Sequence, residues 1–111
     1  LKREAIKFTL NSEEITNESK IYLDNVGKSM NIPQLSHEKI QIIGHANATG
    51  SKANNLSLSK KRAQMVKNYL MSHFNIASNR LLIAGVGDNE PLDNISPFDE
   101  SNRRVEIYPL H

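Results

Sequence analysis

The sequence predicts a two-layer α/β sandwich, in which helices pack on one face of a mixed four-stranded sheet. Segments with the two-residue apolar period of strands alternate with two segments of helical spacing, in the order β-α-β-α-β-loop-β. The chain has 111 residues, of which 38% are hydrophobic. That length suits one core, so residues 1–111 are expected to form a single domain.

The first half of the chain is predicted to contain a strand, a helix and a second strand. Residues 5–10 alternate apolar and polar side chains, which indicates the first strand. Residues 16–30 carry apolar side chains three and four positions apart, so we expect a helix with Thr16 or Asn17 as its N-cap. Residues 39–45 indicate the second strand.

The second half contains the most regular helical pattern, over about 55–73. Residues 80–87 and 103–108 indicate the third and fourth strands, and Pro109 is expected to end the last one. Between these strands, residues 88–102 form a long polar connection. A connection of that length in a small domain is usually functional.

Composition excludes several classes of function. Lys plus Arg is 14 and Asp plus Glu is 12, and the resulting charge of +2 is spread along the chain, so no nucleic-acid partner is expected. The chain has no cysteine, and its four histidines lack metal-ligand spacing. No serine lies in a G-x-S-x-G context, and the acidic residues of the connection match neither a glycosidase pair nor a calcium loop. We therefore expect no metal, no cofactor and no enzymatic activity.

The start of the chain indicates a fragment or a processed product. It begins at Leu1 instead of an initiator Met, and no apolar run approaches the roughly 18 residues of a membrane span. Any export signal or membrane tether is therefore expected outside these residues.

Three cations, at positions 60–62, fall in the first two turns of the predicted second helix. The helix dipole is positive there, and backbone N–H groups at a helix start bind anions. Arg62 also lies on the apolar stripe of the helix, and a guanidinium matches a carboxylate in bidentate fashion. This pattern favours a carboxylate site formed by Arg62 and the loop 46–55; the alternative is three solvated surface cations.

Four segments carry a resemblance that periodicity alone does not supply. They are Gly44-His45-Ala46-Asn47-Ala48-Thr49-Gly50, Asn55 with Leu58-Ser59-Lys60-Lys61-Arg62-Ala63, Gly85-Val86-Gly87-Asp88-Asn89-Glu90-Pro91 and Asn102-Arg103-Arg104-Val105-Glu106-Ile107. In order and spacing, over about residues 6–109, they resemble the OmpA-like domain family. The resemblance implies a non-catalytic binder of peptidoglycan in the periplasm of a Gram-negative bacterium, attached to the outer membrane through a segment outside this chain.

The resemblance also implies roles for single residues. In the family, an Asp of the loop motif and the Arg of the helix motif hold the ammonium and carboxylate of diaminopimelate on the stem peptide. Arg62 would take the carboxylate, and Asn47, which replaces the Asp, would be a weak acceptor for the ammonium. Asn55 and the loop backbone at Ala46 would orient the ligand, and Arg103 would add positive field.

The neutral Asn47 leaves two interpretations open. A neutral acceptor gives about half the strength of a charge-assisted bond, which corresponds to roughly a 5- to 150-fold loss of affinity. Peptidoglycan binding is then either retained in weakened form or lost. In the second case the fold serves as a structural or docking part of an envelope or secretion assembly, with Asn55 as an N-cap and Arg103 as a buried strut. His45 is expected to be a packed, hydrogen-bonded histidine.

Overall fold

A computed structural model describes residues 5–8, 14–90, 92, 95–98 and 102–110. The predicted order of elements is confirmed. The helices and strands are β1 (Ala5–Ile6), α1 (Asn17–Met30), β2 (Lys39–Gly44), α2 (Lys52–Phe74), β3 (Leu81–Gly85) and β4 (Val105–Leu110), with short 3₁₀ turns at Pro33–Leu35 and Ser78–Arg80. Among the described residues, no helix combines the length and hydropathy needed to cross a bilayer.

The four strands form one mixed sheet in the order β1-β4-β2-β3. β4 is antiparallel to both β1 and β2, whereas β2 and β3 run parallel. α2 packs across β2 and β3, and α1 packs against α2 and β1. The predicted two-layer arrangement is therefore confirmed, and the loops that follow β2 and β3 leave the sheet at the same end.

The core lies between the helices and the sheet. Ile40 and Ile42 of β2 face it, and both are fully buried. The helices contribute further buried apolar side chains, among them Leu23, Val26, Val66 and Leu70. Since burying one such side chain contributes about 1.5–3 kcal/mol, this packing holds α2 on the sheet and fixes which of its faces points inward.

Two glycines allow α2 to approach the ends of the parallel strands. A Cβ at Gly44 would lie 1.8 Å from the carbonyl oxygen of Ser59, and one at Gly85 would lie 2.5 Å from the backbone nitrogen of Lys60. Both contacts involve helix backbone, which a rotamer change does not relieve. The absence of these side chains therefore brings the first half of α2 against the loop that follows β2.

α2 begins at Lys52, earlier than the helical pattern predicts. Ser51 is the N-cap, and its hydroxyl accepts a hydrogen bond from the N–H of Asn54 at 3.2 Å. The first turn is polar and exposed, so apolar periodicity does not mark it. Two expectations are consequently wrong: Asn55 is not the N-cap, and Arg62, about 15 Å along the axis from Lys52, does not lie at the positive end of the dipole.

The other differences concern strand ends. β1 is confined to Ala5–Ile6, after which Phe8 forms an isolated bridge with Ile15; residues 9–10 lie outside the described residues. β2 ends at Gly44, one residue before the predicted end, and β3 is shorter than predicted at both ends.

Pro109 does not end β4, which continues to Leu110. The N–H of His45 donates to the carbonyl of Arg104 at 2.7 Å, which fixes which positions of β4 bond to β2. Pro109 is opposite Ile40, a pair whose β4 nitrogen points away from β2. The strand continues through the proline because no N–H is needed there.

Candidate functional site

The loop at residues 45–51, called the site loop below, is held on both sides by backbone hydrogen bonds. The N–H of Ala46 donates to the carbonyl of Gly87, just after β3, and the N–H of Ala48 donates to the carbonyl of Pro97, both at 2.8 Å. Ala46 is buried. The loop is therefore fixed between the end of the parallel strand pair and the segment 95–98.

Asn102 anchors the described parts of the long connection. Its side chain is fully buried, its Oδ1 accepts from the N–H of Leu92 at 2.6 Å, and its Nδ2 donates to the carbonyl of Ser96 at 2.9 Å. This amide positions the segment 95–98 beside the site loop, so the first residue of the terminal motif has an evident structural role.

Asn47 is buried, with 7% of its surface exposed. Its Oδ1 accepts a hydrogen bond from the hydroxyl of Thr49 at 2.6 Å, and its Nδ2 makes a long, weak bond of 3.5 Å to the carbonyl of Phe98. Because a carbonyl oxygen has two lone pairs, one acceptor position of Asn47 is already used within the loop.

Arg62 faces the protein, as its place on the apolar stripe indicates. It shares the inward side of α2 with Ser59 and Ala63 and is only 2% exposed. Its guanidinium carbon lies 5.8 Å from the centre of the Phe8 ring, within the range of a cation–π interaction. The structure thus places a buried cation on the sheet-facing side of α2.

Asn55 lies in the second turn of α2, under the site loop, and is 6% exposed. Its Oδ1 would be 3.9 Å from a Cβ at Gly50, so the amide packs against the loop from the side of α2. Its Nδ2 lies near the Asp88 carboxylate, close enough to help lower the pKa of Asp88 but without the geometry of a full hydrogen bond.

Asp88 and Lys52 form an ion pair at the mouth of the site. Lys52 Nζ lies 2.9 Å from Asp88 Oδ1; the lysine side chain is 79% exposed, and that of Asp88 is 9% exposed. The hydrogen bond from Lys52 is the main reason that the pKa of Asp88 is lowered. Sequence analysis placed Asp88 in the acidic connection and in the third segment of the family resemblance, but gave it no role in binding. Its position directly after Gly87, which bonds to Ala46, is the signal that assigns it to this site.

Arg103 and Arg104 occupy different environments at the start of β4. Arg103 is half-buried, whereas Arg104 is 5% exposed. Arg104 Nε donates to Glu106 Oε2 at 2.5 Å, and its Nη2 donates to the carbonyl of Glu90 at 3.3 Å. Arg104 is therefore a buried strut, whereas Arg103 is only half-buried, so the expectation that Arg103 is buried is wrong.

His45 lies beside this ion pair, on the sheet face opposite α2. It is 2% exposed, and its Nε2 is 3.9 Å from Glu106 Oε2. Burial lowers the pKa of His45, and the charge of Arg104 lowers it further. The expectation of a packed histidine is confirmed, but neither ring nitrogen has a hydrogen-bond partner among the described residues, so the expected hydrogen bond is wrong.

Glu106 remains ionised although it is buried. Burial by itself would raise its pKa, but hydrogen bonds from Tyr108 and Arg104, together with the Arg104 charge, lower the pKa overall. A neutral His45 and an Arg104–Glu106 pair thus lie behind the site loop. This cluster is structural, because it joins β4 to the connection through Glu90.

No group of three His, Asp or Glu side chains that could hold a metal ion occurs in the described part of the chain. Three acids of the connection, Asp93, Asp99 and Glu100, lie outside it.

The fold and the site define a class: a two-layer α/β domain with a polar site at the shared end of its parallel strands, between a fixed loop and the first half of α2. The model of the OmpA family matches residues 7–104, and the chain belongs to this family. The resemblance read from the sequence motifs is confirmed.

Individual proteins agree with this assignment. The chain is 34% identical to outer membrane protein A of Buchnera aphidicola over 94% of its own length and 30% of that relative. It is 35% identical to the peptidoglycan-binding protein ArfA of Mycobacterium tuberculosis over 62% of the chain and 22% of ArfA. The peptidoglycan-associated lipoprotein of Burkholderia pseudomallei has the same fold, with a TM-score of 0.82 and 22% identity over 98% of this chain and 91% of that one. The chain spans less than a third of both sequence relatives.

Proposed function

We propose that this domain binds the stem peptide of peptidoglycan without covalent chemistry and anchors an envelope protein to the cell wall. In this proposal the domain works in the periplasm of a Gram-negative bacterium, and a segment outside the chain attaches it to the outer membrane. Support comes from the family assignment and from the similarity to the peptidoglycan-binding protein ArfA and to the peptidoglycan-associated lipoprotein of Burkholderia pseudomallei.

The observation that carries the proposal is the burial of Arg62. Arg62 holds a guanidinium on the inward side of α2, where it is 2% exposed, and a charge-assisted bond to a carboxylate is stronger in such a desolvated position than in water. Arg62 would bind the diaminopimelate carboxylate in bidentate fashion. Asn47, Asn55 and the loop backbone at Ala46 would orient the ligand, and Arg103 would add positive field.

The contacts of Asn47 set a condition on binding. The segment 95–98 lies over Asn47 and Ala48, held by one ordinary and one long hydrogen bond. A ligand that contacts the Asn47 side chain must displace this segment. Because Asn47 is neutral and partly engaged by Thr49, its contribution to the affinity is expected to be small.

The experiment is calorimetric titration of the domain with a diaminopimelate-containing stem peptide, with a stem peptide that has lysine at the same position as the matched control. The lysine peptide keeps the amine but lacks the carboxylate that Arg62 would bind. Tighter binding of the diaminopimelate peptide supports the proposal. Equal affinities would exclude the role given to Arg62, and no binding of either peptide, together with no retention on purified sacculi, would exclude the wall-anchor function.

A second candidate function is docking to an envelope protein, and the surface beside the site favours it. Leu56, Ile95 and Phe98 are 48%, 41% and 63% exposed at the end of the sheet where the loop lies. Exposed apolar side chains at one place are typical of protein interfaces. If the domain ignores both stem peptides, Phe98→Ser should then abolish recovery of an envelope partner by crosslinking in cells.

A further inference from the structure

The proposed ligand site has no anion at Asn47 to bind the ligand ammonium, and the structure offers a different carboxylate nearby. The carboxylate of Asp88 lies at the mouth of the site, beside Asn55 and next to Gly87, which bonds to the site loop. A zwitterionic ligand needs one anion and one cation within reach, whichever residue supplies the anion.

Lys52 shows what this carboxylate binds. Its ammonium group lies 2.9 Å from Asp88 Oδ1, and the lysine side chain is 79% exposed. Because the lysine partner is exposed, holding it in the pair costs side-chain entropy, and the pair contributes little free energy. The lysine ammonium has the same chemistry as the free amine of a diaminopimelate side chain, so it marks a primary-ammonium site that the chain itself occupies.

The axis of α2 sets the spacing between Asp88 and Arg62. Asn55, which neighbours Asp88, precedes Arg62 by about 10 Å along the helix axis. Because side chains on a helix lean toward its N-terminus, we expect the guanidinium of Arg62 on the N-terminal side of its Cα, which is the side where Asp88 lies. The described partner of the Asp88 carboxylate is the exposed Lys52, whereas Asn47 is bonded to the segment 95–98.

We propose that Asp88 binds the free ammonium of the diaminopimelate side chain in place of the missing Asp at position 47, and that Lys52 competes with the ligand for this carboxylate. The inference rests on the proposed stem-peptide binding. It makes Lys52 an internal competitor, so the two members of one ion pair have opposite effects on affinity.

The opposite signs separate this role from a structural one. Asp88→Asn should weaken binding of the diaminopimelate stem peptide about 5- to 10-fold, because a charge-assisted bond becomes a neutral one. Lys52→Ala should tighten it about 2- to 5-fold, because the competing pair is removed. If Asp88 only holds Lys52 against the loop, both substitutions would weaken binding alike.

The test is calorimetric titration of the wild-type chain, both variants and Lys28→Ala, which removes an exposed cation from the far helix. A second peptide with its free diaminopimelate amine acetylated completes a double-mutant cycle. The proposal expects Asp88→Asn to make no difference with the acetylated peptide, and Lys28→Ala to bind as wild type. Circular dichroism confirms that each variant is folded.

The outcomes distinguish the two proposals. Wild-type binding with no effect of Asp88→Asn, or with equal effects on both peptides, overturns the role of Asp88 and leaves stem-peptide binding intact. No wild-type binding of either peptide overturns the role of Asp88, and together with no retention on purified sacculi it overturns the wall-anchor function as well.

Discussion

Replacing Asn47 with Asp restores the family residue, and its effect on the fold follows from the contacts of Asn47. The oxygen that accepts from Thr49 is unchanged, whereas the nitrogen 3.5 Å from the Phe98 carbonyl becomes an anionic oxygen facing another acceptor. The position is 7% exposed, so the new charge is largely desolvated. We expect the free energy of unfolding to fall by about 1–3 kcal/mol at pH 7, as measured by urea denaturation with an unchanged m-value.

The same substitution should tighten ligand binding. If the ligand ammonium reaches position 47, a charge-assisted hydrogen bond replaces a neutral one, and the affinity for a diaminopimelate stem peptide should rise by roughly 5-fold or more. Calorimetry on the folded variant measures this directly. Thr49→Ala is the matched control, because it frees the Asn47 oxygen without adding charge.

The loss of stability and the gain in affinity are expected together in the Asn47→Asp variant. A folded Asn47→Asp variant that has lost stability but binds the peptide no more tightly than wild type would show that position 47 does not face the ligand. The same loss of stability with equal affinity for the acetylated peptide would show that the new carboxylate does not meet the amine.

The remaining predictions concern residues around the site. Arg62→Met keeps the volume of the side chain but removes its charge, and should abolish stem-peptide binding with the circular dichroism spectrum retained; unchanged affinity would remove Arg62 from the site. Gly44→Ala places a methyl group 1.8 Å from an α2 carbonyl oxygen and should lower the free energy of unfolding by more than about 3 kcal/mol in urea denaturation. Gly50→Ala makes no such contact, but the φ of Gly50 is 79°, so this variant should lose about 1–2 kcal/mol of unfolding free energy in the same assay. The pKa of His45 is lowered from 6.5 in the folded protein, so the unfolded chain binds a proton more readily, and stability that is present above pH 6.5 should be lost as the pH falls below 6.5. His45→Gln should flatten the dependence of the unfolding free energy on pH between about pH 7 and 5. An unchanged dependence would show that another group titrates in this range.

The sequence by itself determined the fold class and the family. Apolar periods of two and of three to four identified each strand and helix, because one face of every element is buried against the other layer. Four motif segments, at residues 44–50, 55–63, 85–91 and 102–107, identified the family by their order and spacing. The first and third of them contain the glycines that let α2 approach the ends of β2 and β3. The inward direction of Arg62 also followed from the stripe it shares with apolar residues.

The tertiary structure decided what no local pattern records. The start of α2 was misplaced because its first turn is polar and exposed, and that error put Arg62 at the wrong end of the helix dipole. The choice of Arg104 over Arg103 as the buried strut depends on which of the two neighbouring side chains meets both Glu106, two residues further along the same strand, and the carbonyl of Glu90. Asp88 joins the site only through contacts with Lys52 and the loop, which are distant in sequence. Periodicity reports whether a residue faces inward, whereas partners are set by the way the layers pack.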